Sequence, residues 1–482
     1  MTLEQIEIIN YRSIESLSIT IKKVNNTLTF CLLGINESGK SSFLKGVNLF
    51  DTDDIQYPQD YFDENQPVQV SFTYSLSQSD LIVIRNKLIK TYNFPKEIDQ
   101  QIEITKVKIS VKFPALQNPV KEFEEIIFFK KDILKGYALV ENKATKIEKG
   151  DTETKEVSLS AFFKLNLPKH FWSYAHSVIF WESSDKFLIV DEIDLTTFSA
   201  EPEKTSIPLM NCFILSGIPS SDIPSAIKKL VQPAPIRNLE SLLSDSVTAH
   251  IKAVWPDHPI SIKFEINNNK ISLLVEDEGV KHKAKTTGQR SDGFRQFISF
   301  LLTLSAENMN EELSRTIMLI DEPETHLHPQ AQINLKDELI KITNNSNNNL
   351  VFYATHSNYM IDKQNLDRNI KVSKNKNEKT KLEIIPKSES SYSEVNYTVF
   401  NIPTTDYHNE LYGYLEDVSK PKLEGLVKDR KWFNEKINRE EPVSLSRYIR
   451  NAIHHPENTS NKKFTDGQLK KSIDTLRKLK YE

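Results

Sequence analysis

The 482-residue sequence predicts an α/β fold: a buried sheet interleaved with helices, split by a mixed α/β insertion and followed by a helical tail. Three observations predict it. TLTFCLLG from Thr27, TIMLIDE from Thr316 and LVFYATHS from Leu350 are short apolar runs bounded by polar or turn residues, the pattern of strands covered on both faces. The first and second of these lead into segments with helical spacing. Beyond Thr404 the apolar residues recur only at helical intervals.

Taken in chain order, LEQIEIINY and LSITI read as two strands before the buried run at Thr27, and Ser41–Phe50 reads as a helix. PVQVSFTYSL is again strand-like. From about Leu76 to Pro256 the pattern is mixed. SDLIVIRNKLIKTY is helical, QIEITKVKISVKF alternates as a strand, KIEKGDTETKEV is a charged loop and HSVIFW from His176 is a buried strand. The segment from Ser225 to Val254 is helical, with interruptions expected at Pro233 and Pro235. ISIKFEI and KISLLVE form a hairpin around Asn267, Asn268 and Asn269. A helix is expected over Asp292–Ala306 and another over Pro329–Thr343, while KVSKNKNEKTK from Lys371 reads as a solvated basic loop. The expected division is 1–75, 76–256, 257–388 and 404–482, with no internal repeat.

Bulk properties narrow the function classes. Acidic residues number 66 and basic residues 62, so no global field draws the chain to nucleic acid or an anionic membrane. The longest apolar runs are far shorter than a membrane span, and the first residues lack a signal-peptide pattern, which together imply a cytoplasmic protein. The two cysteines, Cys31 and Cys212, sit far apart in apolar surroundings and read as buried free thiols, without a disulfide framework or a zinc site.

The chemistry begins at Gly34-Ile35-Asn36-Glu37-Ser38-Gly39-Lys40-Ser41-Ser42, a G-x-x-x-x-G-K-S loop between strand and helix. Its glycines let backbone N–H groups face inward, and the helix amino end adds positive potential for phosphate. Lys40 suits β- and γ-phosphates; the Ser41 hydroxyl suits Mg²⁺. TIMLIDE delivers Asp321 and Glu322 at the carboxyl end of a strand, where ligands sit in open α/β sheets. Asp321 suits the Mg²⁺ shell, and Glu322 suits polarising an attacking water. His356, just past a further strand, suits a hydrogen bond to the γ-phosphate or the water. In RSDGFRQF, Ser291 and Gly293 stand before an amphipathic helix. Ser291 or Asp292 can cap that helix; the other reading is an amino end presented to a nucleotide held by another subunit. ATP and Mg²⁺ are the cofactors these residues imply.

Together these motifs, with IINYRSIESLSI and DEPETHLHPQAQ, resemble the ATP-binding-cassette ATPases, in the soluble branch containing RecF-like, SMC-like and overcoming-lysogenization-defect proteins. The resemblance covers about Met1–Tyr74 and Ile260–Pro386. It implies an ABC-type P-loop head that forms a head-to-tail homodimer or higher homo-oligomer. The phosphate loop, Asp321, Glu322 and His356 of one head would face Ser291 and Gly293 of the other, with Glu324–Pro329 crossing between sites. The sequence departs from the branch in starting its signature with Arg290 and in carrying Asp292 where a glycine is usual. Gln56 and Gln69 are both candidates for the glutamine that couples nucleotide to the insertion. The insertion has no sustained heptads, which argues against long arms, and no toprim-type acidic cluster follows His356.

The tail, SRYIRNAIHHPENTSNKKFTDGQLKKSIDTL after NIPTTDYHNELYGYLED, resembles the ATPase subunits of bacterial anti-phage systems of the Septu and retron-associated kind. That resemblance implies an HNH-type nuclease subunit encoded nearby, and a phage trigger or nucleic acid as the signal. Arg450 and His455 also match the R-N-x-x-x-H spacing of HEPN ribonucleases. The alternative roles for them are ties between helices or capping of the helix end. Three functions therefore stand: an ATPase controlling a nuclease in trans, a self-contained ATP-gated ribonuclease using Arg450 and His455, or a RecF-like DNA-repair ATPase.

Overall fold

The structure is a computed structural model that describes residues 1–481 except 101, 130, 149–153, 185, 255–259, 278, 280–283, 290–293, 297, 301, 304–314, 326, 345–347 and 386–390. The chain divides into two compact units, one of residues 1–362 and 368–383, the other of residues 363–367 and 384–482.

The first unit is built on two sheets. A six-stranded sheet runs in the order Ser177–Glu182, Thr316–Asp321, Leu350–Thr355, Thr29–Leu33, Asn369–Lys374, Thr380–Ile384, and its first five strands are mutually parallel. Thr29–Leu33 and Leu350–Thr355 are buried throughout, as expected of strands covered on both faces. A five-stranded antiparallel sheet runs in the order Ile14–Thr20, Thr2–Tyr11, Val68–Ser75, Ile102–Phe113, Val120–Phe129. It continues without a break across residue 75, because Val68–Ser75 pairs along its whole length with the strand that follows it.

The helix Lys40–Asn48 packs between these sheets. Phe43 meets Phe352 edge-on with ring centroids 5.2 Å apart, and just beyond the helix Phe50 stacks on Phe72 at 3.8 Å. Burying such rings stabilises by about 2–3 kcal/mol each, so the helix is held by its apolar face more than by propensity. A second core joins the hairpin Ile260–Asn267/Lys270–Asp277 to the helix Pro233–Val254. Asn268 and Asn269 turn the hairpin with φ of 48° and 62°, the left-handed region that asparagine tolerates. Pro233 and Pro235 do not interrupt this helix. They occupy its first turn, where no N–H is needed for an internal bond. KVSKNKNEKTK is not all loop either: its ends belong to Asn369–Lys374 and Thr380–Ile384, and only residues 375–379 turn between them. Both cysteines are buried and free.

The second unit packs the helices Tyr392–Phe400, Thr405–Val418, Lys420–Glu424, Leu445–His454 and Asp466–Tyr481 around one core. The expectation of an all-helical tail is corrected here. KWFNEKINREEPV forms an antiparallel hairpin, Arg430–Asn434 with Arg439–Val443. Gly425 ends the preceding helix, Asn438 turns at φ 47°, and Trp432 is buried edge-on against Tyr448 at 5.5 Å.

His408 lies fully buried in this core, its Nε2 2.9 Å from Ser472 Oγ. Burial pushes its pKa down to about 4. The folded state therefore binds fewer protons than the unfolded state between about pH 6.5 and 4, and stability is lost as pH falls through that window. Protection factors for amides of the helix Asp466–Tyr481, corrected for intrinsic exchange, are expected to drop on acidification by the equivalent of roughly 2–3 kcal/mol. His408→Gln should flatten that dependence.

Candidate functional site

The site forms where three parallel strands end side by side. Thr355 pairs with Leu33 and Asp321 with Ala354, so the phosphate loop, the two acids and His356 emerge at one edge of the sheet. The loop is shaped by its glycines. A Cβ at Gly34 would lie 2.5 Å from both Ser38 Oγ and the Val372 carbonyl, and one at Gly39, where φ is +105°, would run into the Thr380 side chain. Thr380 is held in turn: its N–H donates to the Ser13 carbonyl at 2.9 Å, and the two hydroxyls meet at 2.7 Å.

The helix Lys40–Asn48 starts at Gly39 with no side-chain cap and no acid in its first turn, whereas Ser77, Ser158, Asp194 and Ser391 all cap their helices. Its first N–H groups are thus left for an anion. Ser38 Oγ and Asp321 Oδ1 are buried and, among the described residues, without a hydrogen-bond partner. Buried polar atoms of this kind are costly unless a ligand satisfies them. Asn36 and Glu37 sit on the exposed outer turn of the loop, and Ser41 and Ser42 are half-buried in the first turn of the helix.

Lys40 is buried, and its Nζ donates to the carbonyls of Gly34 at 3.0 Å and Ile35 at 3.2 Å. Burial lowers its pKa; the charges of Glu322 and Asp321 act against that. His356 Nε2 stands 2.9 Å from Lys40 Nζ and 3.0 Å from Glu322 Oε1. One ring nitrogen cannot serve both: protonated, it donates to Glu322; unprotonated, it accepts from Lys40. The contact with His356 holds the Glu322 carboxyl below its ordinary pKa. Burial raises that of Asp321, against the hydrogen bond from Ser41. The Ser41 hydroxyl and the Asp321 carboxylate are a donor set suited to Mg²⁺, whose remaining ligands are usually phosphates and water. Among the described residues no group of three or more His, Cys, Asp or Glu converges to hold a metal ion on its own. The uncapped helix end, the orphaned oxygens and this donor set fit a Mg²⁺-bound triphosphate.

Residues to which the sequence analysis gives no chemical role hold these in place. Glu322 takes a φ of 50°, rare for a non-glycine residue and here a way to turn the carboxylate off the strand end. Its N–H donates to the Ala354 carbonyl, and its own carbonyl accepts from the buried Gln296 at 3.1 Å. Glu324, 6% exposed, accepts from the Thr355 hydroxyl and, at 3.0 Å, from the His356 N–H, so it anchors the turn that carries His356. Ser357 donates to Gln332 on the next helix. Asp191 accepts from Thr286 and Thr287 hydroxyls and the Gly288 N–H, and Arg295 donates to the Ile189 carbonyl at 3.1–3.2 Å. One strap, Ile189–Asp191, therefore grips both flanks of residues 290–293. Ser291 and Gly293 themselves lie outside the described residues. A local signal existed for Glu324 in DEPETHLHP and for Gln296 in RSDGFRQF, though neither showed its contact; for Asp191 none did, because its partners are distant in sequence.

Gln56 lies in the exposed loop after the helix, and Gln69 donates to Ser71 along its strand. In the second unit Arg450 and His455 line neighbouring cavities that share Arg447 and Asn451. Arg450 lines one cavity and His455 another, where its Nδ1 lies 3.3 Å from the exposed Glu457.

The family model described as AAA ATPase domain matches residues 1–203 and 221–361, well over half of the chain. Among curated proteins, an uncharacterized protein of Methanocaldococcus jannaschii is 28% identical over 137 residues, 27% of this chain and 35% of that protein. The Old nuclease of Escherichia phage P2 is 26% identical over 200 residues, 38% of this chain and 34% of its own length. The chain thus spans about a third of each of these relatives. Solved structures with similarity include an SMC head bound to the C-winged helix domain of ScpA (TM-score 0.41, 12% identity, 81% of this chain and 99% of that one). A Thermotoga maritima SMC head domain gives a TM-score of 0.36 at 9% identity, covering 80% of this chain and 100% of that one. No described helix is long and apolar enough to cross a membrane.

Two substitutions test the supporting residues. Glu324→Ala strips the Thr355 hydroxyl and the His356 N–H of their acceptor. It should lower any nucleotide turnover by roughly ten- to a hundredfold with ATP affinity little changed, while Glu324→Gln, which keeps the acceptor, stays near wild type. Asp191→Ala should leave nucleotide binding by the single chain intact and weaken nucleotide-dependent self-association by at least about tenfold, measured by analytical ultracentrifugation.

Proposed function

The chain belongs to the AAA ATPase domain family, and we propose from this that it binds and hydrolyses ATP with Mg²⁺ at residues 34–42, 321, 322 and 356, pairing head to tail with a second copy. The carrying observation is the convergence of Lys40, Glu322 and His356 on one point beside an uncapped helix amino end. The loop N–H groups and Lys40 hold the phosphates. Ser41 and Asp321 would hold Mg²⁺, which when bound supplies charge neutralisation for the phosphates. Glu322 orients the attacking water and takes its proton. His356 fixes the carboxylate and meets the γ-phosphate side of the site. The competition of Lys40 and Glu322 for His356 Nε2 ends when phosphate takes the lysine, leaving His356 to Glu322.

Ser291 and Gly293 complete the partner's site in this reading, so occupancy drives association and association licenses turnover. We extend this to control of a nuclease subunit in an anti-phage complex. That part is supported by the resemblance of the tail to Septu and retron-associated ATPase subunits.

Lys40→Ala should weaken binding of a fluorescent ATP analogue by at least about a hundredfold. Glu322→Gln should bind ATP normally, hydrolyse it roughly a hundred- to a thousandfold more slowly and accumulate as a nucleotide-dependent dimer. Wild-type turnover in Glu322→Gln would remove Glu322 from its assigned role. RNA or DNA cleavage by the purified chain alone, abolished by His455→Ala, would replace control in trans with intrinsic nuclease activity.

A further inference from the structure

The family match ends at residue 361, ahead of the whole of the second unit, so the family assigns that unit no ligand. A cavity of about 410 Å³ lies among the helices Thr405–Val418, Lys420–Glu424 and Leu445–His454 and the hairpin end at Pro442–Val443. That volume falls in the range of small-ligand sites. The lining is mainly polar, with a small apolar floor that includes the buried Leu423, Val443 and Tyr412. The rim carries Lys420, Lys428, Arg447 and Arg450. These four cations come from three separate segments and converge on one concave surface.

Some charged side chains of this unit are paired: Lys431 with Glu440, Arg477 and Lys480 with Glu394, His455 with Glu457. The four cleft cations are not, and in this they are like exposed lysines outside the cleft such as Lys463; what sets them apart is their convergence on one cavity. None has an ion pair or a side-chain hydrogen bond among the described residues, although Glu416 and Glu424 line the same cleft. Like charges gathered on a concave wall repel one another, and a cleft focuses their field outward. Two arginines three residues apart on one helix, Arg447 and Arg450, also present planar donor forks suited to phosphate oxygens.

We propose that this cleft is a second ligand site on the chain, taking a small, multiply charged phosphorylated compound. Arg447 and Arg450 grip a phosphoryl group, Lys420 and Lys428 neutralise further charge, and the Tyr412–Leu423–Val443 floor covers the ligand's less polar part. Glu416 and Glu424 set a limit on the charge tolerated and disfavour long polyanions. The chemistry is shared by a free nucleotide and by the phosphorylated end of a nucleic acid strand.

The test uses the full chain carrying Lys40→Ala, which silences the phosphate loop, with calorimetric titration of inorganic triphosphate, of AMP and of a 5′-phosphorylated tetranucleotide at low and moderate salt. Saturable binding of at least one probe is expected, weakened at least about tenfold by Arg447→Ala with Arg450→Ala and by added salt, and unaltered by Lys463→Ala, an exposed cation away from the cleft. Arg447→Ala alone, at an exposed position that leaves the fold intact, should give an intermediate loss. Equal affinity for AMP and the tetranucleotide marks a free nucleotide as the source; tighter binding of the tetranucleotide marks a strand end. Absence of binding by all three probes, or binding unchanged in the double arginine variant, overturns the proposal. Neither result touches the phosphate-loop reading, which is tested with Lys40 intact.

Discussion

The structure depends on one constraint, the parallel register of the buried strands that end at Leu33, Asp321 and Thr355. Because Thr355 pairs with Leu33 and Asp321 with Ala354, three loops far apart in sequence leave the sheet at one level. A slip of one residue would turn every side chain to the opposite face and carry Asp321 away from the phosphate loop. The apolar content of these strands fixes that register: Leu32, Phe352, Ile317 and Leu319 all belong to the core shared with the antiparallel sheet. Burial therefore positions the chemistry, and polar contacts only refine it.

The refinement has a recognisable form. Each reactive group is held by a residue that does not react: His356 by Glu324, the Glu322 turn by Gln296, the phosphate loop by Thr380 and Ser13. Gln296 is of particular interest because it follows residues 290–293 in the chain while donating to the backbone carbonyl of Glu322. In the proposed function this joins the segment assigned to a partner's site to the turn that carries the proposed base. A displacement at either end has a direct route to the other, through one side-chain amide and one short strap at Ile189–Asp191.

Much of this was legible in the sequence because the motifs carry their own context. A glycine-rich loop between strand and helix, and acids at the end of an apolar strand, restrict the backbone enough to place the residues. The supporting contacts were not legible, since Gln296 and Asp191 are ordinary polar residues whose partners are set by tertiary packing. The hairpin Arg430–Val443 was masked by its charge, which resembles a solvated helix face until the turn at Asn438 and the burial of Trp432 are seen. Pro233 and Pro235 misled for the opposite reason: a proline breaks a helix interior but starts a helix well, and the residue alone does not say which.

In the proposed function, Lys40, now held on the Gly34 and Ile35 carbonyls and beside His356, is taken over by a triphosphate. A crystal structure with a non-hydrolysable ATP analogue and Mg²⁺ tests this most directly. The account predicts phosphates seated against residues 34–41, Lys40 Nζ moved from those carbonyls onto phosphate oxygen, and the metal beside Ser41 and Asp321. An analogue bound elsewhere, or seated there with Lys40 still on the Gly34 and Ile35 carbonyls, would contradict it.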